Sequence, residues 1–182
     1  MRDALRRHLA FWPAAAIGTA LDLATKSLVF GWLQTLPPEA QTYTAMKGFL
    51  TLRMDHNTGT FFGQLGGHNT ALIVFTVTMM ALVVYMFLAP PREVAGGRRG
   101  RCYSAALGLV LAGAAGNLWD RILLGHVRDF LAFAVNGWHW PTFNLADAWL
   151  TLGIITYLLA TWRAARTREP PGEPSAEEAP RP

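Results

Sequence analysis

Twenty consecutive residues without a charge, 70–89 (TALIVFTVTMMALVVYMFLA), constrain this chain more than any other stretch. In water such a run would expose apolar surface on every side. As a helix rising about 1.5 Å per residue it matches the roughly 30 Å core of a bilayer, so it predicts a transmembrane helix. Apolar stretches at 9–33, 102–120 and 145–162 predict three more spans. Composition agrees, with 52% hydrophobic and 15% charged residues, against roughly 25% charged in soluble domains. The expected fold class is an all-α membrane protein with four transmembrane helices.

The charges are arranged around those spans. The net charge is +4, and Arg2, Arg6 and Arg7 precede the first span. Arg92, Arg98, Arg99 and Arg101 separate the second from the third, and Arg163, Arg166 and Arg168 follow the last. Basic residues on alternate connections obey the positive-inside pattern, so the charge reports topology and not a nucleic-acid surface. Both termini are then cytoplasmic, as a basic arm over 1–8 and a disordered proline-rich tail over 164–182. The connections 34–69 and 121–144 lie outside. A basic arm before an apolar run also fits a signal peptide. This run reaches Leu33 with Asp22 and Lys26 inside it, which favours a retained first helix.

The outer side gathers the polar residues. Asp22 and Lys26 are spaced i, i+4 and share a helix face, where they can neutralise each other. In 34–69, short strand-like stretches at 41–44 and 48–54 precede a glycine-rich run holding Asn57, Gly59 and Phe61. Asn57 reads equally as a turn residue bonding its own backbone. Asn117 and Asp120, at i, i+3 in an Ala- and Gly-rich span, read equally as interhelical glue. Asn144 and Asp147 repeat that spacing at the start of the fourth span. Between them lie Arg121, Arg128, Asp129 and a Trp138-His139-Trp140 anchor of interfacial type.

Elimination narrows the chemistry. Of three serines, Ser104 lies on the cytoplasmic side, Ser175 is in the tail, and Ser27 adjoins Lys26 without facing it. The single cysteine, Cys102, is on the wrong side and excludes a multi-cysteine metal site. No HExxH spacing exists, and His139 has no partner at metal-binding distance in sequence, so neither metal nor cofactor is expected. Aspartates remain. Two carboxylates held close share one proton, and such a pair can activate water against a peptide bond. Charge alone does not choose two among Asp22, Asp120, Asp129 and Asp147, and a proton-coupled transporter would also carry carboxylates in its bundle.

Four blocks of this sequence resemble the bacterial lipoprotein signal peptidases, or signal peptidase II. They are DLATK at 22–26, NTGTFFG at 57–63, GNLWDR at 116–121 continuing to GHVRDF at 125–130, and FNLAD at 143–147. The resemblance implies an aspartyl dyad of Asp129 and Asp147. It implies that Asn57, Gly59, Asn117, Arg121 and Asn144 line the substrate groove, with Asp22, Lys26 and Asp120 supporting it. It also implies a small extracytoplasmic β platform over 41–66 and a mobile half-helix over 131–143. The implied reaction is metal-free cleavage of diacylglyceryl prolipoproteins just before the lipidated cysteine, at the outer leaflet of the inner membrane, by a monomer in contact with lipid. Phe61 departs from the family, which usually has a small residue there.

Overall fold

A computed structural model describes residues 2–59 and 69–166 of the 182-residue chain. Phe61 and the tail beyond Arg166 lie outside the described residues, as does the end of the 41–66 platform. Four long helices dominate: α1 (Arg2–Gln34), α2 (Asn69–Leu88), α3 (Gly97–Leu124) and α4 (Leu145–Arg166). Helix α1 begins at Arg2, so the basic arm is its first two turns and not a separate segment.

Three of the helices, α2, α3 and α4, are long and apolar enough to cross a membrane. Helix α1 is less apolar because Thr19, Asp22, Thr25 and Lys26 interrupt its run. The outward faces carry large apolar side chains, among them Leu28, Phe75, Tyr85 and Leu158, each more than half exposed. A surface of this kind is stable only against lipid or another apolar partner. The chain is an integral membrane protein by that measure.

Helix α3 packs against α1, α2 and α4 and is the centre of the bundle. Its buried face is built from small residues, including Ala106, Gly108, Ala112, Gly113 and Gly116. Packing and not hydrophobicity must hold helices together in lipid, so the absence of side-chain bulk lets the backbones close. Gly116 is the sharpest case, since a Cβ there would fall on the Asp22 carboxylate. Toward the other end of the bundle, Phe11 stacks on Phe87 at 4.0 Å in a cluster with Val83, Tyr103, Leu107 and Ala164.

A four-stranded antiparallel sheet caps the end of the bundle at which α1 finishes. Its order is β1 (Thr42–Met46), β2 (Leu50–Asn57), β3 (Val127–Val135), β4 (Trp138–His139). The platform expected over 41–66 corresponds to β1 and β2. The expected half-helix over 131–143 is corrected: those residues are the second half of β3, a turn and β4. The physical cause is the Asn136-Gly137 pair, whose φ values of 50° and 79° make the two-residue hairpin turn that matches strand twist. The mostly helical class with a small β platform stands, the sheet being extended by β3 and β4.

The sheet also fixes where α4 begins. Phe130 and Leu131 both donate their N–H groups to Phe143 O, at 3.1 and 2.9 Å, and Phe143 N donates back to Leu131 O at 3.0 Å. The residue before Asn144 is thereby stitched to the strand that carries Asp129. Arg53 of β2 adds a second tether by donating to Thr142 Oγ1.

Candidate active site

Asn144 immediately precedes α4 and Asp147 is in its first turn. Asn144 Oδ1 accepts the Asp147 N–H at 3.1 Å, and Asp147 Oδ2 accepts the Asn144 N–H at 3.2 Å. This reciprocal pair is a capping box, which satisfies orphan donors at the helix N-terminus. Ala146 N donates to Asp22 Oδ1 at 2.8 Å, so the first turn of α4 rests on carboxylates from its own helix and from α1. Negative charge at that end suits the helix dipole.

Asp129 comes from β3 and is 2% exposed. Asn144 Nδ2 donates to its Oδ1 at 2.6 Å, and Asn57 Nδ2 donates to its Oδ2 at 3.0 Å. Asn144 therefore bonds both aspartates, one through its side chain and one through its backbone. Asn117 on α3 completes the ring: its Nδ2 donates to Asp147 Oδ1 at 2.9 Å, while its Oδ1 accepts from Asn144 Nδ2 at 3.0 Å. Burial, reinforced by the Asp147 carboxylate, pushes the Asp129 carboxyl up to about 7, against the opposing pull of the Asn57 and Asn144 amides.

Neither Asp129 nor Asp147 has an ion-pair partner among the described residues. The other carboxylates do. Lys26 lies 2.7 Å from Asp22 Oδ2 and 3.5 Å from Asp120 Oδ2, with all three side chains fully buried. Arg128 reaches Asp120 Oδ1 with its guanidinium at 2.8 Å, and its backbone N–H donates to Asp120 Oδ2 at 3.0 Å. Asp120 thus meets cations and a backbone N–H, and of the four candidate aspartates only Asp129 and Asp147 are hydrogen-bonded to the ring of amides among the described residues. Arg121 donates to Gly59 O at 3.1 Å, while Gly59 N donates to Asn57 Oδ1 at 3.0 Å. Asn57 is therefore a turn residue and at the same time a partner of Asp129.

Two features escaped the sequence. Arg128 stood only as one of the outer-face arginines, although Asp120 eight residues earlier is its partner; the helix end and strand between them hid the spacing. The second is a cavity of about 580 Å³ beside Asp147, lined by Phe49, Phe133, Trp138, Trp140, Phe143 and Leu152 among others. Its walls come from three separate segments. The Trp138 and Trp140 pair was the one available signal. Among the described residues no group of three or more metal-binding side chains occurs.

Asp129, buried, and Asp147, half-buried, are thus ringed by carboxamides at the end of an apolar helix bundle. A family model described as signal peptidase (SPase) II matches residues 14–163. The lipoprotein signal peptidase of Burkholderia mallei (strain SAVP1) is 32% identical over 145 residues, 78% of this chain and 77% of its own. That of Francisella tularensis subsp. novicida (strain U112) is 32% identical over 160 residues, 86% of this chain and 94% of its own. Two solved structures, each described as a bacterial membrane enzyme, superpose with TM-scores of 0.73 and 0.67 at 27% and 29% identity. They cover 88% and 81% of this chain, and 92% and 89% of their own. The chain belongs to the signal peptidase II family, and it is accordingly a protease of the membrane.

Proposed function

We propose that the chain is an intramembrane aspartyl endopeptidase that removes signal peptides from diacylglyceryl prolipoproteins, cleaving just before the lipidated cysteine. The observation that carries this reading is the shared Asn144, which bonds Asp129 and Asp147 at once and so makes them a pair. Asp147, with both oxygens accepting N–H donors at a helix N-terminus, serves as the base. Asp129, buried and holding its proton to about pH 7, serves as the acid.

In the reaction a water adds its oxygen to the scissile carbonyl carbon while its proton passes to Asp147. The Asp129 proton moves to the carbonyl oxygen. Collapse of the tetrahedral intermediate returns one hydroxyl proton to Asp129, re-forms the carbonyl, and breaks the C–N bond as the Asp147 proton passes to the leaving amine. Asn57, Gly59, Asn117, Arg121 and Asn144 surround the path that an extended backbone would take. The aromatic cavity beside Asp147 has the chemistry to receive an acyl chain or apolar side chain. Asp22, Lys26 and Asp120 support the arrangement, and no metal or cofactor takes part.

The protein sits in the bacterial inner membrane as a monomer in contact with lipid. All four helices span it, and the short tail and the N-terminus are cytoplasmic, with the sheet and dyad at the outer leaflet. Helix α1 tolerates its two buried charges because Asp22 and Lys26 neutralise each other. The test is to incubate the purified protein with a diacylglyceryl prolipoprotein and with its unlipidated precursor. Release of the signal peptide from the lipidated form is expected; no release from it overturns the reading.

A further inference from the structure

The three carboxamides that touch the dyad share one property. Each has its oxygen held by a group that can only donate. Asn57 Oδ1 accepts the Gly59 N–H at 3.0 Å, and Asn144 Oδ1 accepts the Asp147 N–H at 3.1 Å. Asn117 Oδ1 accepts the Lys26 ammonium at 2.9 Å and the Asn144 Nδ2 group at 3.0 Å. An amide whose oxygen is claimed in this way has only its NH2 left for the other side. All three NH2 groups consequently face carboxylate oxygens: two meet Asp129 and that of Asn117 meets Asp147.

Two of the three locks are backbone N–H groups, which no side-chain substitution removes. The third is Lys26. We propose that Lys26 is a positioning residue: its ammonium fixes the oxygen end of the Asn117 amide and so turns the NH2 of Asn117 onto Asp147 Oδ1. Were the amide reversed, its NH2 would oppose the ammonium and its oxygen would oppose the Asp147 carboxylate, two repulsive contacts in place of two hydrogen bonds. A neutral residue at 26 removes the charged donor and leaves only the Asn144 amide to hold that oxygen. Neutralising Asp22 and Asp120 alone would need no contact with Asn117, yet the ammonium makes one, in a site where Lys26 and Asn144 are both 0% exposed.

This inference rests on the proposed peptidase reading, and the two fail differently. Purified full-length protein is assayed for signal-peptide release from a diacylglyceryl prolipoprotein. No cleavage by the unsubstituted protein overturns the reading itself. With cleavage established, Lys26→Gln is expected to lower kcat about ten- to hundredfold with KM changed less than about threefold, the pattern of a contact used in the transition state. Lys26→Arg, which can only donate, should recover at least about tenfold of that loss. Asn117→Ala should lose as much as Lys26→Gln, and the double substitution no more than either within about threefold, because one acts through the other. Losses that multiply, or a Lys26→Gln enzyme with full kcat, overturn the proposal. Should Lys26→Gln fail to fold, Asn117→Asp decides: it still accepts from Lys26 but cannot donate to Asp147. Loss of kcat in a stably folded Asn117→Asp supports the lock, and retained kcat overturns it.

Discussion

Two pairs of carboxylates, all buried but the half-buried Asp147, lie at the same end of one bundle, and they are treated in opposite ways. Asp22 and Asp120 are matched by Lys26 and Arg128, charge for charge. Asp129 and Asp147 receive carboxamides instead. A cation beside a buried carboxylate cancels its charge and occupies its lone pairs. An amide donor satisfies its lone pairs without cancelling its charge, so proton affinity remains to be used. On the proposed function, the difference separates carboxylates that hold the fold from carboxylates free to react.

The largest effect should come from the amide-ringed pair. Asp129→Asn or Asp147→Asn is expected to lower signal-peptide release by about a thousandfold or more, since each group carries a proton in the reaction. The variants should keep their helix content by circular dichroism, and turnover near that of the unsubstituted protein would break the comparison. Asp120→Asn should act mainly on stability. It leaves Arg128 and Lys26 short of a buried partner, a loss of about 3–5 kcal/mol for a broken buried ion pair. Thermal unfolding in detergent would read it; a catalytic loss at unchanged stability would move Asp120 into the other class.

The proton affinity of Asp129 sharpens the contrast further. Its carboxyl is protonated below about 7 and ionised above. As the acid it must hold its proton, so turnover should fall as pH rises through about 7. Asp147→Asn removes the neighbouring charge, and the Asp129 carboxyl stretch in difference infrared spectra should then titrate at lower pH. The smallest effect belongs to a third carboxylate. Asp55 pairs in register with Asp129 across β2 and β3, yet it is 45% exposed and bonded to Arg53. Asp55→Asn should change stability by less than about 1 kcal/mol, as exposed ion pairs do, and a change in Tm of several degrees would show that exposure is not what sets these carboxylates apart.

Much of the membrane character was legible because hydrophobic length is local. The run at 70–89 needs no partner to be understood, and α2 occupies Asn69–Leu88. The i, i+4 spacing of Asp22 and Lys26 likewise placed an ion pair now 2.7 Å apart. The sheet was less legible. Residues 131–143 were expected as a half-helix, although Asn136-Gly137 is a hairpin signal, because strands need partners distant in sequence. Here β3 pairs with β2, which lies on the far side of α2 and α3.

By itself the sequence determined that the chain lives in lipid, that it sets aspartates beside its apolar spans, and which family motifs it carries. Only the tertiary structure decided which aspartates meet amides and which meet cations. A side chain's spacing along a helix fixes its face, but its partners come from other elements. Asp129 and Asp147 share a site because Phe143 is hydrogen-bonded to β3 while α3, free of side-chain bulk at Gly116, brings Asn117 against both Lys26 and Asp147.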